Sequence, residues 1–175
     1  INSKGDSTIA RTKYAQDYSG GIPAIDFMVG NKVGLTEPIE EFLNYKRVNA
    51  EYIKDGTVNT FRVSNGAIFN DKVYKMKVNS ALAYGGPYYN STLDSTVFKP
   101  QISYDEYLKG NIYKYTEATG SGNIVLWGYK NQYPVAKITN AGIGGYSPSE
   151  EVAYSSFEST DKGNWVYSGN PVTDF

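Results

Sequence analysis

The chain is predicted to be mainly β, an open meander of antiparallel hairpins with one short helix. Three observations predict it. Tyrosine is over-used, at 17 residues beside 18 glycines, a mixture that suits half-buried pleated strands joined by tight turns. Turn-forming pairs such as Asp55-Gly56 and Asn65-Gly66 separate short apolar runs. In "KVYKMKV", Tyr74, Met76 and Val78 alternate with Lys75 and Lys77. A helix would set Tyr74 and Met76 roughly 200° apart; a strand gives one buried and one wet face.

The elements follow in order. "TIARTKYA" is an expected strand, with Ile9, Arg11 and Lys13 on one face and Thr8, Ala10, Thr12 and Tyr14 on the other. "IPAIDFMVGNK", Ile22 to Lys32, is the one good helix candidate, with Pro23 near its start and Gly30-Asn31 at its end. "IEEFLNYKRVNAEYIK" is expected to lead into a turn at Asp55-Gly56, with further turns at Asn65-Gly66 and Asn70-Asp71. "ALAYGGPYYNSTLDSTVFKPQ" is a loop-rich interruption. The run from Ile102 to Asn140 is expected to form three short strands, with turns at Gly110-Asn111 and at Gly120-Ser121-Gly122. Pro134 cannot donate a ladder hydrogen bond, so its strand should start there or lie at an edge. "AGIGGYSPSE" has a linker composition, and "EVAYSSFESTDKGNWVYSG" has a strand-turn-strand pattern. The expected organisation is a β-rich segment over 1–141, a linker over 142–150, and the opening strands of a further β-sandwich-like module over 151–175.

Composition removes several functions. The net charge is −1 and no long basic run exists, so a nucleic-acid or anionic-membrane footprint is not expected. No apolar run approaches the roughly 20 residues that span a bilayer. With no cysteine and no histidine, disulfides, thiol nucleophiles, Cys/His zinc sites and Ser-His-Asp triads are impossible within this chain. No cofactor or metal is expected, because no D-x-[DN]-x-[DN]-G calcium loop occurs and "GIGGYS" lacks the Lys-Ser/Thr pair of a phosphate loop. The start at Ile1 and the stop after "NPVTDF" lead to the expectation of a processed or partial piece of a larger protein.

Tyr104-Asp105, Gly110-Asn111, Tyr113 and Tyr115, then "WGYKNQYPVAKI" from Trp127, carry a resemblance. They resemble the YD-repeat (Rhs-like) strand-turn-strand segments of large secreted or cell-surface proteins of Bacteroidota. "YSSFESTDKGNWVYSG" looks like the segment that opens a following β-domain there. The resemblance implies an open β-sheet, a place on the Gram-negative outer face and export by type IX secretion. It also implies partners: the rest of a larger chain, and outer-membrane export or surface proteins.

Candidate sites are few. Tyr84, Tyr88 and Tyr89 surround a Gly-Gly-Pro turn, where projecting rings could stack on a polysaccharide. The plainer alternative, preferred here, is that they pin the loop to the sheet. Adjacent carboxylates at Glu40-Glu41, Asp105-Glu106 and Glu150-Glu151 point to opposite faces of a strand, unlike a glycosidase pair set roughly 5–9.5 Å apart about a sugar. Asp-Ser-Thr occurs at Ser7 and at Ser95 and matches the short O-glycosylation pattern of Bacteroidota secreted proteins. Trp127, Tyr129 and Pro134 are expected to be structural core. The expected function is non-enzymatic: an architectural or display segment of an exported surface protein. A carbohydrate-binding module using the loop tyrosines, or a fragment of a polysaccharide-active enzyme, are the alternatives.

Overall fold

The computed structural model describes residues 6–78, 80, 82–86 and 88–140. The expected linker at 142–150 and the module at 151–175 lie outside the described residues. Among the described residues the architecture is mainly β, an open antiparallel sheet of nine strands with one short helix. In chain order these are β1 (Ser7–Tyr14), a 3-10 turn (Ala15–Asp17), α1 (Pro23–Asn31), β2 (Pro38–Arg47), β3 (Ala50–Ser64), β4 (Ala67–Met76), β5 (Leu82–Ala83), β6 (Phe98–Leu108), β7 (Asn111–Glu117), β8 (Gly122–Gly128) and β9 (Tyr133–Thr139). The strand order is β1-β2-β3-β4-β6-β7-β8-β9, and β5 pairs with β3 off this path. Two compact units divide within β6, one ending at Tyr104 and the other beginning at Asp105.

In the first unit, α1 forms where the sequence predicts it. Pro23 occupies the opening position, where its missing N–H is no loss. Lys32, in the left-handed region at φ 55°, ends the helix, and Val33 N–H donates to the Met28 carbonyl at 3.0 Å. Ile22, Ile25 and Met28 bury with Ala15 and Ile39 as one cluster, joined by Phe61, Ile68 and Tyr89. A second cluster gathers Phe42, Ile53, Val58 and Phe98, with Tyr74, Met76 and Leu82 against it.

Two expected turns prove to be something else, and a third is shifted. Asp55-Gly56 lies inside β3, and the chain instead reverses at Val48-Asn49, between the paired residues Arg47 and Ala50. Gly56 pairs with Phe42, and a Cβ on Gly56 would lie 2.5 Å from the Phe42 ring. This glycine exists to admit a ring, not to bend the chain. Asn70-Asp71 likewise lies inside β4. Thr60 pairs with Lys72 and Phe61 with Asn70, so Asp71 is the extra residue of a β-bulge. The expected turn at Gly110-Asn111 moves by one residue. Lys109 (φ 51°) and Gly110 (φ 88°) make it, and Asn111 opens β7. Asn65-Gly66 is a two-residue hairpin turn as predicted, with φ 50° and 73°, between the paired residues Ser64 and Ala67.

In the second unit the expected third strand is two strands. A turn at 129–132 separates β8 from β9. Tyr129, Lys130 and Asn131 are all left-handed, at φ 50°, 61° and 64°, and Gln132 N–H closes the turn on the Gly128 carbonyl at 3.1 Å. Pro134 is the second residue of β9, the terminal strand in the sheet order, where a missing donor is tolerated.

The three residues expected as core divide. Trp127 is half-buried, and its indole N–H donates to the Ile112 carbonyl at 2.7 Å. Pro134 and Tyr129 are exposed, Tyr129 by 48%. Tyr129 is not core because β8 ends at Gly128 and the ring leaves with the turn.

Candidate functional site

Glu40, Arg11, Asn44 and Glu51 of the first unit gather beside a segment described at 82–86 and 88–97. Alternation along β2 puts Glu40, Phe42 and Asn44 on one face, and all three are buried. Their cross-strand partners extend that face: Lys13, Arg11 and Ile9 on β1, and Val58, Gly56 and Ile53 on β3. Of the two β1 faces, the one with Ile9, Arg11 and Lys13 is the one that joins this surface. The segment lies across it like a strap, begun by β5, whose Leu82 and Ala83 pair with Ile53 and Tyr52.

Glu40 anchors the strap. Its Oε1 accepts the backbone N–H groups of Tyr88 and Tyr89, at 2.8 and 2.5 Å. The other oxygen, Oε2, is shut off from water without a hydrogen bond, as is the Tyr18 hydroxyl. Burial raises the Glu40 carboxyl above its ordinary range, while the two strap N–H groups pull the other way. The Tyr18 hydroxyl is itself pushed up, by burial first and then by the Glu40 charge.

A second carboxylate sits closer to water. Glu51 takes Arg11 as a two-point partner, Nε to Oε1 at 2.6 Å and Nη2 to Oε2 at 2.8 Å, and the Asn44 amide donates to Oε1 at 2.6 Å. These bonds hold Glu51 down at about 2, with the Arg11 hydrogen bond the largest cause. The Arg11 guanidinium also lies over the Tyr84 ring, 4.9 Å from its centroid.

The three loop tyrosines come together, but inward. Phe42 meets Tyr88 at 5.1 Å and Tyr84 at 6.2 Å between ring centroids, and Tyr88 meets Phe98 at 6.0 Å. The Tyr88 hydroxyl donates to the Ala83 carbonyl and accepts from Gly85 N–H, each at 2.9 Å. Tyr89 packs against both apolar clusters. These rings are half-buried and pin the loop to the sheet, the plainer of the two readings made from sequence.

The other candidate positions are separate. Ser7 is half-buried at the start of β1, opposite Lys46. Ser95 is exposed in a turn where Asp94 Oδ1 accepts both the Thr96 N–H and the Thr96 hydroxyl, at 2.8 and 2.6 Å. Among the described residues no three Asp or Glu side chains group so as to hold a metal ion. No helix among them is long and apolar enough to cross a membrane.

Sequence reasoning overlooked the depth of Glu40 and the partnership of Arg11 with Glu51. A signal for the first was present. Glu40 keeps step with Phe42 in an alternating strand, so one of the two faces had to bury a carboxylate. The chain matches no family model, no curated protein and no solved structure.

Proposed function

We propose that the chain is a non-enzymatic structural segment of a large exported bacterial surface protein, where it spaces or displays neighbouring domains. The supporting observation is the strap. Its tyrosines pack on Phe42, and Glu40 Oε1 takes two of its backbone N–H groups, which ties the loop to the sheet as one slab. A buried carboxylate spent on two backbone donors holds geometry and is closed to substrate. The proposed address is the Gram-negative outer face, reached by type IX secretion. The partners in this reading are the rest of the chain and the outer-membrane export or surface proteins that handle it.

Two measurements on source cells test it together. Antibody against this segment should detect, on a denaturing gel, a band far above 19.3 kDa. Protease added to intact cells should remove that band. A band at 19.3 kDa, or one protected until the cells are broken, would sink the proposal.

A further inference from the structure

Among the described residues Glu40 is the one acidic or basic side chain that is fully buried. It holds the strap through a single oxygen. Oε1 takes the Tyr88 and Tyr89 N–H groups, and Oε2 is shut off from water with no donor of its own. Few ionisable groups face it. From β1 comes Lys13, its cross-strand partner, whose charge favours the carboxylate. From the end of the 3-10 turn comes Tyr18, with Asp17 next to it. The strap contributes Tyr84, Tyr88 and Tyr89. β3 places the apolar Val58 opposite, and α1 adds the apolar Ile25 and Met28 to the cluster that holds Tyr18.

The Tyr18 hydroxyl can accept from a protonated Oε2 or donate to an ionised one, so it serves either form. Burial separates them. A charge on an oxygen cut off from water costs far more than a neutral acid there, and burial is the largest influence on this carboxyl. The neutral acid keeps both strap bonds, because Oε1 accepts in either form. The ionised one gains most by reaching water. β2 is not free to move toward it, since among the described residues eight residue pairs join β2 to β1 and eight join it to β3. The strap is. β5 gives it two pairs, and one further bond runs from Tyr84 N–H to the Glu51 carbonyl at 2.8 Å.

We propose that the strap is a proton-operated latch, shut while Glu40 is a neutral acid and lifted from the sheet when the carboxyl passes its proton to solvent. The shut form holds that proton more tightly than the open form does, so a rise in pH opens the latch. Opening uncovers the rings of Phe42 and Phe98, against which Tyr88 packs. The sheet then shows an apolar surface above the transition and a sealed one below it. The latch does not depend on the architectural reading, and it adds to that slab a face controlled by pH.

The test is amide exchange on the 175-residue chain across pH, with each rate divided by that of the same amide in an unstructured peptide. Protection of the Tyr84, Tyr88 and Tyr89 amides should fall by up to about tenfold per pH unit above about 4.5, and level off once the carboxyl's folded value is passed. Amides of Val58 and Asn59, inside β3, should not follow. Glu40→Gln keeps an acceptor for both strap N–H groups and carries no charge, so its strap amides should stay protected with a flat profile. A flat profile in the parent overturns the proposal. So does a slope that survives in Glu40→Gln, or the same slope in β3, which would make the opening global. Should the Gln variant misfold by circular dichroism, carbon-13 spectra of the parent's Glu40 carboxyl decide. A midpoint above about 4.5, at the pH where the strap amides lose protection, supports the latch, and one at or below it overturns the latch.

Discussion

The two units solve the same problem differently. A sheet must bury one face to be stable. In the first unit a helix and a strap do this, and every fully buried apolar residue among those described lies there except Ile124. In the described residues of the second, Ile124 is the one buried large apolar side chain. Trp127 is only half-covered, and polar ties such as Asn111 to Asn131 and Thr116 to Asp105 hold the hairpins. The difference teaches where stability should be sought. Among the described residues the first unit has no exposed aromatic ring, and the second has two, Tyr129 and Tyr133.

Substitutions can break or sharpen this contrast. Phe42→Ala removes the ring on which Tyr84, Tyr88 and Phe98 converge and should cost about 4 kcal/mol in denaturant unfolding. Trp127→Ala, at a half-covered site, should cost less, about 3 kcal/mol. A larger loss at Trp127 than at Phe42 would reverse the comparison. Gly56→Ala forces a methyl into the Phe42 ring and should cost about 2 kcal/mol. The effect should shrink when Phe42 is already alanine, which a double-mutant cycle measures.

The smallest effect is in pH. Glu51 lies below its unfolded value, so its stabilisation is present above about 4.5 and is lost as pH falls toward 2. Glu40 lies above its unfolded value. Its contribution is complete below about 4.5 and is lost as pH rises through the raised folded value. Glu40→Gln should therefore gain on the parent as pH rises from 4 toward neutrality, and Glu51→Gln should flatten only the acid limb. Melting curves across pH check both. A parallel pH response in parent and Glu40→Gln would mean the carboxyl is not held as described.

Much of the fold was legible from pattern. Alternation placed the strands, Pro23 placed α1, and Asn65-Gly66 placed its turn. Asp55-Gly56 shows the limit. The pair carries the same turn signal as Asn65-Gly66, yet only the latter has both residues at positive φ. What decides is a ring from a neighbouring strand, and no local window contains Phe42. Asn70-Asp71 failed for a related reason, since a bulge and a turn ask for the same residue types. Tyr129 was misplaced because the turn after Gly128 is built by Tyr, Lys and Asn rather than by glycine. The candidate site was half legible. The strap tyrosines could be named, but their inward direction depends on Glu40, 48 residues before Tyr88.

The unequal grip of β3 on its neighbours has a kinetic consequence. Among the described residues, eight residue pairs join β3 to β4, whereas two join it to β5. Amide exchange should therefore come in two tiers. Tyr84 N–H, bonded to the Glu51 carbonyl at 2.8 Å, and the Tyr88 and Tyr89 amides should trade protons with solvent together, whenever the strap lifts. Amides in the middle of β3 should wait for the sheet itself to open. The slab would then have a hatch that swings without the wall coming down.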